Sequence, residues 1–494
     1  MRWLRASVLT ALGAVVTWLI AGRGLVNYDT LYSLVWGRQI AHGQSPDLDV
    51  ALAPTPHPLA TLGGIVASPL SSAADGFVHG LAATDVTIVI AFLSLGLLGA
   101  VVYALGEAWF NPWAGALAAL IILTRRPVLD FGARAYVDIP YVVLVLGALL
   151  VETKRRRAGL PVIALLGVAG LLRPEAWLLS GAYVLWLIVV NDPARPDRER
   201  RRIVVLIGAA AVAPVLWMLS DWAMTGDPLH SLVGTRDTAE TLGRITGITE
   251  VPTTAPRRIG EILREPVLLG AGIGLVLAWL WLRDRVRLAV AAGVLAFAAF
   301  CVLATAGLPI LGRYLLLPAA IGAILCGAGA FGWMNVGPEQ PLRRKRIWMW
   351  LGLFVLAVQL PFVPSQFDRL DALNRALSIQ DGVQEDLRAF VAAGDFQAPC
   401  ETVTVPNHRP VPLLALWLDA RPSAIHSALD GPVPALGTYL QPATPAVAKA
   451  YVLDPRDASQ VLPPPPPAYR LASENASWRL YKHCAPAAVT LGGE

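Results

Sequence analysis

Residues 86–105 read VTIVIAFLSLGLLGAVVYAL, a stretch of twenty residues without a charged side chain. A helix of this length can span the hydrocarbon core of a bilayer, which needs about 20 apolar residues. Comparable stretches recur as far as residue 363, and we place them at 6–21, 86–105, 112–124, 135–151, 158–172, 176–190, 203–219, 266–282, 288–306, 314–334 and 347–362. The sequence therefore predicts a polytopic α-helical membrane protein with about 11 transmembrane helices.

The composition of the whole chain agrees with this prediction. Hydrophobic residues make up 55% of the 494 residues and charged residues 15%, with a mean hydropathy of +0.55. A soluble globular protein carries about 25% charged residues, and a single soluble core stops growing near about 250–300 residues. The composition therefore excludes a soluble enzyme, a disordered protein and a fibrous protein. Four cysteines are too few for a disulfide scaffold.

The basic residues indicate the orientation in the membrane. Clusters of Lys and Arg occur within 2–5, 154–157, 195–202, 283–287 and 343–346. Eleven alternating spans place all of these clusters on one side, and cytoplasmic loops are the ones enriched in Lys and Arg. We therefore expect a cytoplasmic N-terminus and a first span that is retained as an anchor. The net charge of +5 arises from these clusters, so it does not indicate nucleic-acid binding.

This topology leaves three segments outside the membrane. They are a first loop at about 22–83, a second loop at about 221–265 and the tail at 364–494. We accordingly divide the chain into a multi-span domain at 1–363 and a small extracytoplasmic α/β domain at 364–494. A composition rich in Ala, Gly, Arg and Trp suggests a bacterial protein, so the expected location is the inner membrane.

The tail has the composition of an ordinary soluble domain. Its apolar spacing predicts a helix at 368–393, and short strand-like segments follow at 402–405 and 450–453. Cys400 and Cys484 both lie in this tail, where an oxidising exterior permits a disulfide bond. The alternative is two unrelated thiols.

Asp29 follows the first span within the stretch NYDTLY at 27–32. A carboxylate at the membrane–water boundary is suited to act as a general base above a lipid substrate. It is also suited to cap the N-terminus of a helix that runs to His42. Both interpretations remain open from the sequence.

Several arginines lie on the extracytoplasmic side of the predicted topology, where the positive-inside rule disfavours them. They are Arg125, Arg126, Arg134, Arg173 and Arg313. Guanidinium groups bind phosphate in a bidentate manner, so these residues predict a phosphate site at the outer leaflet. The alternative is internal pairing, for instance of Arg134 with Asp138 or of Arg173 with Glu175.

A possible metal motif and a histidine lie in the first loop. Asp47 and Asp49 have D-x-D spacing, which suits a divalent cation bound to a sugar phosphate. An acidic loop before a proline-rich turn explains the same residues. His57 follows in TPHP, as a substrate ligand or as a hydrogen-bonded loop residue. The sequence lacks CxxC, HExxH, GxSxG and GxxxxGK[ST] motifs, which disfavours redox, zinc-protease, hydrolase and nucleotide-phosphate chemistry.

Six short motifs follow one another in the first 320 residues. They are DTLY at 29–32, GQSP at 43–46, PHPL at 56–59, AYVDIP at 135–140, GVAGLLRPE at 167–175 and GRYLLLP at 312–318. In order and in sidedness they resemble the GT-C superfamily of membrane glycosyltransferases, especially the branch of the protein mannosyltransferases and the lipid A aminoarabinose transferases.

The resemblance implies an inverting transferase that takes a sugar from a polyprenyl-phosphate-linked donor. The acceptor would be an extracytoplasmic glycan, lipid or protein, and membrane lipids would surround the site. The resemblance implies that Asp29 is the general base, that Asp138 shapes the site, and that Arg173 and Arg313 bind the donor phosphate. The other substrate-binding candidates are His57, Glu175 and Tyr314, which lie in the same motifs, and Arg125, Arg126 and Arg134, which rest on the charge argument alone. A divalent cation remains possible.

Two other functions explain the same residues. A transporter or flippase of a lipid-linked anion would use the arginines without a base. A non-catalytic envelope scaffold would bind its partners through the tail. Asp29 separates the first hypothesis from these two, because only transfer requires its carboxylate.

Overall fold

A computed structural model describes residues 2–71, 82–190, 196–397, 400, 402–453 and 460–484. The helices of these ranges are α1 (Arg2–Ala21), α2 (Tyr28–Ala41), α3 (Pro58–Ala67), α4 (Ala83–Trp109), α5 (Pro112–Thr124), α6 (Arg126–Ala133), α7 (Asp138–Lys154), α8 (Leu160–Gly170), α9 (Glu175–Val189), α10 (Pro196–Thr225), α11 (His230–Thr241), α12 (Val251–Leu263), α13 (Glu265–Trp281), α14 (Arg283–Thr305), α15 (Leu316–Phe331), α16 (Leu342–Gln359), α17 (Val363–Ala392), α18 (Val411–Trp417) and α19 (Pro445–Val447). The strands are β1 (Val403–Val405), β2 (Ile425–Ser427), β3 (Gly437–Pro442), β4 (Arg470–Glu474) and β5 (Trp478–His483).

The chain is a helical membrane protein. In the described ranges, 6 helices are long and apolar enough to cross a bilayer, and the number rises to 8 if each of two bent pairs counts as one span. The bent pairs are α6 with α7, at 111°, and 248–263 with α13, at 102°. Each of the predicted apolar stretches overlaps a helix, but several of these helices are shorter than a full span. The count of 11 spans therefore stays a prediction.

Small residues allow the apolar helices to pack closely. A Cβ atom added at Gly274 of α13 would collide with the carbonyl oxygen of Leu325 on α15. The same holds at Gly96 of α4, next to the carbonyl oxygen of Thr10 on α1. Because lipid offers no hydrophobic driving force between helices, such close backbone packing is a main source of their association.

The tail begins with a helix and continues into a five-stranded sheet of order β2-β1-β3-β5-β4. Strand β1 is parallel to β2 and β3, and β5 is antiparallel to β3 and β4. Cys400 and Cys484 are joined by a disulfide bond. The helix and the first strand occur where the sequence places them.

The predicted strand at 450–453 is wrong. A single turn of π-helix occupies Ala448–Val452. The carbonyl oxygen of Val452 accepts a hydrogen bond from the Asn407 side chain at 2.8 Å. The ring of Tyr451 lies 6.0 Å from that of Trp478. A short apolar segment has the same pattern in a strand and in a buried helical turn, so sequence periodicity does not separate them.

The first loop and the tail share one hydrophobic core. Leu31, Leu34 and Val35 of α2 are buried together with side chains of the sheet and of α18. The buried guanidinium of Arg38 donates to the carbonyl oxygens of Leu416 at 2.9 Å and Ala415 at 3.1 Å. The tail is therefore fixed to the helix that carries Asp29.

Candidate active site

Asp29 lies in the first turn of α2 but does not cap it. The cap is Asn27, whose side chain accepts a hydrogen bond from the Thr30 backbone at 3.1 Å. The capping interpretation of Asp29 is therefore wrong, because another residue already satisfies the helix end. The Asp29 carboxylate instead pairs with Arg313, with 3.1 Å between Oδ2 and Nη1.

Hydrogen bonds tie the beginning of α2 to the turn before α7. The Asn27 backbone donates to the Arg134 carbonyl oxygen at 3.0 Å, and the Thr30 hydroxyl donates to the Ala135 carbonyl oxygen at 2.8 Å. Ala135 adopts a left-handed backbone with φ of 54°, a conformation that costs energy for a residue with a side chain and that often occurs at functional sites. This turn holds Asp29 close to the beginning of α7.

A second contact brings His57 to the same place. Gly37 of α2 and Gly64 of α3 approach so closely that a Cβ atom at either would collide with the backbone of the other helix. His57 immediately precedes α3 and contacts Trp217 edge-on, with 5.7 Å between ring centroids. His57 interacts electrostatically with Asp29 and contributes to lowering the pKa of that carboxyl.

Arg173 lies between two buried carboxylates. Its guanidinium pairs with Asp138, the first residue of α7, and with Glu175, the first residue of α9, at 2.5 Å from Nη2 to Oε1. The side chains of Arg173, Asp138 and Glu175 are 7%, 1% and 8% exposed. Each carboxylate also lies at a helix N-terminus, where the helix dipole stabilises negative charge. We name these three residues the buried triad.

Aromatic rings join the buried triad to the Asp29–Arg313 pair. The Arg173 guanidinium lies 4.0 Å from the ring centroid of Tyr314. Arg313 lies 5.7 Å from the same ring and 5.2 Å from that of Tyr136. Such cation–π contacts hold a guanidinium in position without neutralising it. Together with the triad, Asp29, His57, Tyr136, Arg313 and Tyr314 form one group, which we name the Asp29 cluster.

The Asp29 cluster contains polar atoms with unused hydrogen-bonding capacity. Within the described part of the chain, four of its buried atoms have no hydrogen-bond partner: His57 Nδ1, Asp138 Oδ2, Glu175 Oε2 and Arg313 Nε. Buried polar groups in proteins are rarely left unsatisfied. Their concentration here indicates a site for a polar ligand.

The charges of the site set the protonation of its two acid–base groups. Burial by itself raises the pKa of the Asp29 carboxyl, but the positive charge of Arg313, with further contributions from His57 and Arg244, lowers it below its ordinary value. Burial and the nearby Arg173 charge lower the pKa of His57 to about 4. At neutral pH, Asp29 is therefore ionised and His57 is neutral.

The remaining arginines predicted from the sequence lie outside the Asp29 cluster. Arg134 pairs with Asp130 at 2.7 Å and contacts Gln380, so the predicted pair with Asp138 is wrong. Arg134 and Asp130 lie one turn apart around the end of α6, whereas Asp138 turns inward to Arg173. Arg126 is exposed at the beginning of α6. Arg125 donates to the Leu263 carbonyl oxygen at 3.2 Å.

The D-x-D residues also lie apart from this cluster. The Asp47 carboxylate accepts a hydrogen bond from the Ser423 backbone at 2.7 Å, and Asp49 is exposed. Among the described residues, no group of three or more His, Cys, Asp or Glu side chains is arranged to hold a metal ion. The hydrogen bond between Asp47 and Ser423 connects the first loop to the tail.

Sequence reasoning identified Tyr314 but missed the other tyrosines and the tryptophan of the site. Tyr136 contacts Arg313, and Tyr141 lies one helical turn after Asp138 with its ring 5.7 Å from Arg173. Both tyrosines stand in or beside the AYVDIP motif, so proximity to a motif aspartate was the available signal. Trp217 lies far from every motif, and only the packing of α10 brings it to His57.

Comparison with known proteins shows the fold. No protein-family model matches the sequence, and no curated protein matches it significantly. The structure is similar to ArnT from Cupriavidus metallidurans in the apo state, with a TM-score of 0.54 and 15% identity over 97% of this chain and 98% of that chain. The same protein bound to undecaprenyl phosphate gives a TM-score of 0.53 and 16% identity over 96% and 97%.

A weaker similarity relates 86% of the chain to 65% of the oligosaccharyltransferase of Archaeoglobus fulgidus, with a TM-score of 0.46 and 13% identity. The likeness to ArnT extends over nearly the whole of both chains. The chain therefore shares the fold of ArnT.

Proposed function

We propose that this protein is an inverting glycosyltransferase that moves a sugar from a polyprenyl-phosphate-linked donor to an extracytoplasmic acceptor. The observation that carries the proposal is the Asp29–Arg313 pair, a base and a cation 3.1 Å apart within a cluster of unsatisfied polar atoms. The ArnT fold supports it, since one ArnT structure was solved bound to undecaprenyl phosphate.

Asp29 acts as the general base. Its pKa is lowered, so the carboxylate is ionised at neutral pH and ready to accept the proton of an acceptor hydroxyl. The acceptor oxygen then attacks the anomeric carbon while the bond from that carbon to the phosphate oxygen breaks. Attack from the side opposite the leaving group inverts the anomeric configuration.

Arg313 stabilises the leaving phosphate. Its Nη1 contacts Asp29, whereas its Nε is buried without a hydrogen-bond partner among the described residues. A phosphate oxygen would satisfy that donor, and a preorganised cation in a largely buried site stabilises developing negative charge. In this arrangement the base and the leaving group lie on either side of one guanidinium.

Arg173 has a different role in the proposal. Asp138 and Glu175 already neutralise its charge, so less of that charge is available to a donor phosphate. We infer that the buried triad shapes the site and positions Tyr314 beside Arg313. The unused oxygens of Asp138 and Glu175 would accept hydrogen bonds from the sugar or the acceptor. The Nδ1 atom of His57 would donate or accept one according to its tautomer.

The proposal includes the orientation of the protein in the membrane. The protein would lie in a bacterial inner membrane with its N-terminus in the cytoplasm, and the Asp29 cluster and the tail would face outward. The shared packing of α2 and the sheet supports a common side of the membrane for the cluster and the tail.

The proposal is tested with membranes that contain wild-type, Asp29→Asn or Asp29→Glu protein at matched levels. The readout is release of polyprenyl phosphate from a panel of radiolabelled polyprenyl-phosphate sugars, and the membranes supply the acceptor. We expect sugar-dependent release by the wild type and a loss of about 10²–10⁴-fold in Asp29→Asn, since general-base catalysis contributes about that factor. Asp29→Glu should retain part of the activity.

The matched control is Asp49→Asn, which removes an exposed carboxylate from the same loop. It should release polyprenyl phosphate like the wild type. Equal release by wild type and Asp29→Asn would refute Asp29 as the base. No release by either protein with any donor would favour transport of a lipid-linked anion.

A further inference from the structure

A second site lies at the same end of the helical bundle, away from the Asp29 cluster. A cavity of about 260 Å³ opens where α5 ends, α13 begins and α16 passes into α17. Arg125, Arg264 and Arg369 contribute to its lining. The cavity shares no lining residue with the Asp29 cluster, and we name it the arginine cleft.

The three arginines of the cleft are poorly neutralised. In the described part of the chain, neither Arg125 nor Arg369 forms a salt bridge with a carboxylate. Arg264 pairs at 3.2 Å with Glu265, whose side chain is 69% exposed, and such surface pairs are weak. Burial lowers the pKa of Arg125, and the positive charges of Arg264 and Arg369 lower it further. The cleft therefore concentrates positive charge.

The backbone at Arg264 is held in an unusual conformation. Arg264 has a φ of 69° at the sharp bend between α12 and α13. A left-handed backbone is costly for arginine, and surrounding structure must maintain it. The preceding residue, Leu263, accepts a hydrogen bond from Arg125 through its carbonyl oxygen. The bend thus brings two of the arginines together.

The walls of the cleft are apolar and face outward. Leu120, Phe362 and Phe367 line it and are 62%, 39% and 67% exposed. Leu120 lies near the end of an apolar helix, and Phe362 and Phe367 lie where α16 passes into α17, so their exposed surfaces are available to hydrocarbon chains. A ligand that fits would carry a negative head group and a hydrocarbon chain.

We propose that the arginine cleft binds the phosphate head group of an anionic glycerophospholipid of the surrounding bilayer. Arginine is the preferred side chain for phosphate recognition, because its donors match phosphate oxygens in a fork. The cavity volume exceeds that of several waters, each about 30 Å³ in the liquid. The lipid chains would lie on Leu120, Phe362 and Phe367. Since the cleft is separate from Asp29, this site binds a membrane lipid and not the sugar donor.

The test uses the purified full-length chain in detergent and titrates phosphatidylglycerol while native mass spectrometry counts bound lipid. We expect saturable binding to wild type and at least about tenfold weaker binding to an R125Q/R369Q variant, which corresponds to about 1.4 kcal/mol. The matched control is R257Q/R375Q, which removes two exposed arginines that do not line the cleft. It should bind like the wild type, as should Asp29→Asn.

Additional titrations distinguish a membrane phospholipid from other phosphate-containing ligands. Phosphatidylcholine, undecaprenyl phosphate and inorganic phosphate are titrated in the same way. Equal binding of phosphatidylglycerol to wild type and R125Q/R369Q would overturn the proposal. So would arginine-dependent binding of undecaprenyl phosphate or inorganic phosphate without binding of phosphatidylglycerol. The single variant R369Q changes only a half-buried side chain of α17 and keeps the test valid if the double variant does not fold.

Discussion

Two arginine–carboxylate networks contact the ring of Tyr314, and they differ in solvent exposure and in the number of carboxylates on each arginine. The Asp29–Arg313 pair has one contact, and its side chains are 24% and 19% exposed. The buried triad of Asp138, Arg173 and Glu175 satisfies one guanidinium with two carboxylates and is almost completely buried. The same chemical groups therefore form an accessible pair in one place and a closed network in the other.

The difference has a physical cause. The triad lies at the N-termini of α7 and α9, two helix ends that favour carboxylates. The open pair joins residues 284 positions apart, on a helix of the first loop and at the beginning of the segment that leads into α15. A closed network stabilises the fold, while an open pair can exchange its partner for a ligand.

The largest expected effect is on stability. Asp138→Asn removes a charge-assisted contact of the buried Arg173 guanidinium, which keeps Glu175 as its counter-ion, so we expect a loss of about 1.5–3 kcal/mol. Asp29→Asn should cost less than about 1 kcal/mol, since water reaches that pair. Thermal unfolding of the purified variants in one detergent measures both. A larger decrease in Tm for Asp29→Asn than for Asp138→Asn would reverse the roles assigned to the networks.

The second expected effect is on activity. Arg313→Gln should lower the rate of polyprenyl phosphate release by about 10²–10³-fold, the cost of removing one preorganised donor to a developing anion. Its Tm should remain close to that of the wild type, in contrast to Asp138→Asn. Arg375→Gln is the control, because Arg375 is exposed on α17. An unchanged rate in Arg313→Gln would show that the open pair does not contact the leaving group.

The third expected effect is on the pH dependence of kcat/KM between pH 4 and 8. Because the pKa of Asp29 is lowered, the wild-type rate should stay level at neutral pH and fall only in acid. Arg313→Gln removes the positive charge that lowers the Asp29 pKa, so its acid limb should move to higher pH.

The same profile tests His57, whose pKa is lowered to about 4. No inflection should occur near the ordinary histidine value of about 6.5. The lowered pKa of Asp29 also contributes stability above its unfolded-state value, and this contribution is lost as the pH falls through the folded-state value. An acid limb near pH 6.5 in the wild type would contradict the assignment of a neutral His57.

The smallest expected effect concerns the ring that both networks share. Tyr314→Leu removes the cation–π contacts with Arg173 and Arg313, each worth about 0.5–2 kcal/mol. We expect about a fivefold loss of rate and a small decrease in Tm. Tyr314→Phe retains the ring and should resemble the wild type in both measurements. Equal losses in the two variants would assign the effect to the hydroxyl.

Local pattern predicted the elements whose periodicity or hydropathy is strong. The helix at 368–393 occurs as part of α17, and each apolar stretch overlaps a helix. The prediction of a strand at 450–453 was wrong because its few apolar residues fit a strand and a helical turn equally well. The predicted capping residue of α2 was wrong because Asn27 and Asp29 are both good capping residues, and only the path of the chain selects between them.

The site was predicted in its parts but not in its arrangement. Arg173 and Arg313 are notable as charges that a membrane protein carries only for a reason. Asp29 is notable as a carboxylate at the membrane–water boundary, and the role of Asp138 follows only from the resemblance to the glycosyltransferase motifs. The Arg173–Glu175 pair is confirmed, because the two residues are close in sequence. The Arg173–Asp138 and Asp29–Arg313 pairs could not be predicted, because their members are neighbours only in space. Nothing in the sequence indicates that Trp217 belongs to the site, because only the packing of α10 brings its ring to His57.

The sequence by itself determined that this chain enters a membrane and which charged residues need a partner. Both follow from transfer free energies that each residue carries with it, independent of its neighbours. Tertiary structure decided which arginine is closed into the buried triad, which one remains open beside Asp29, and which ones line a separate cleft. These outcomes depend on distances and burial, and the packing of helices far apart in the chain sets both.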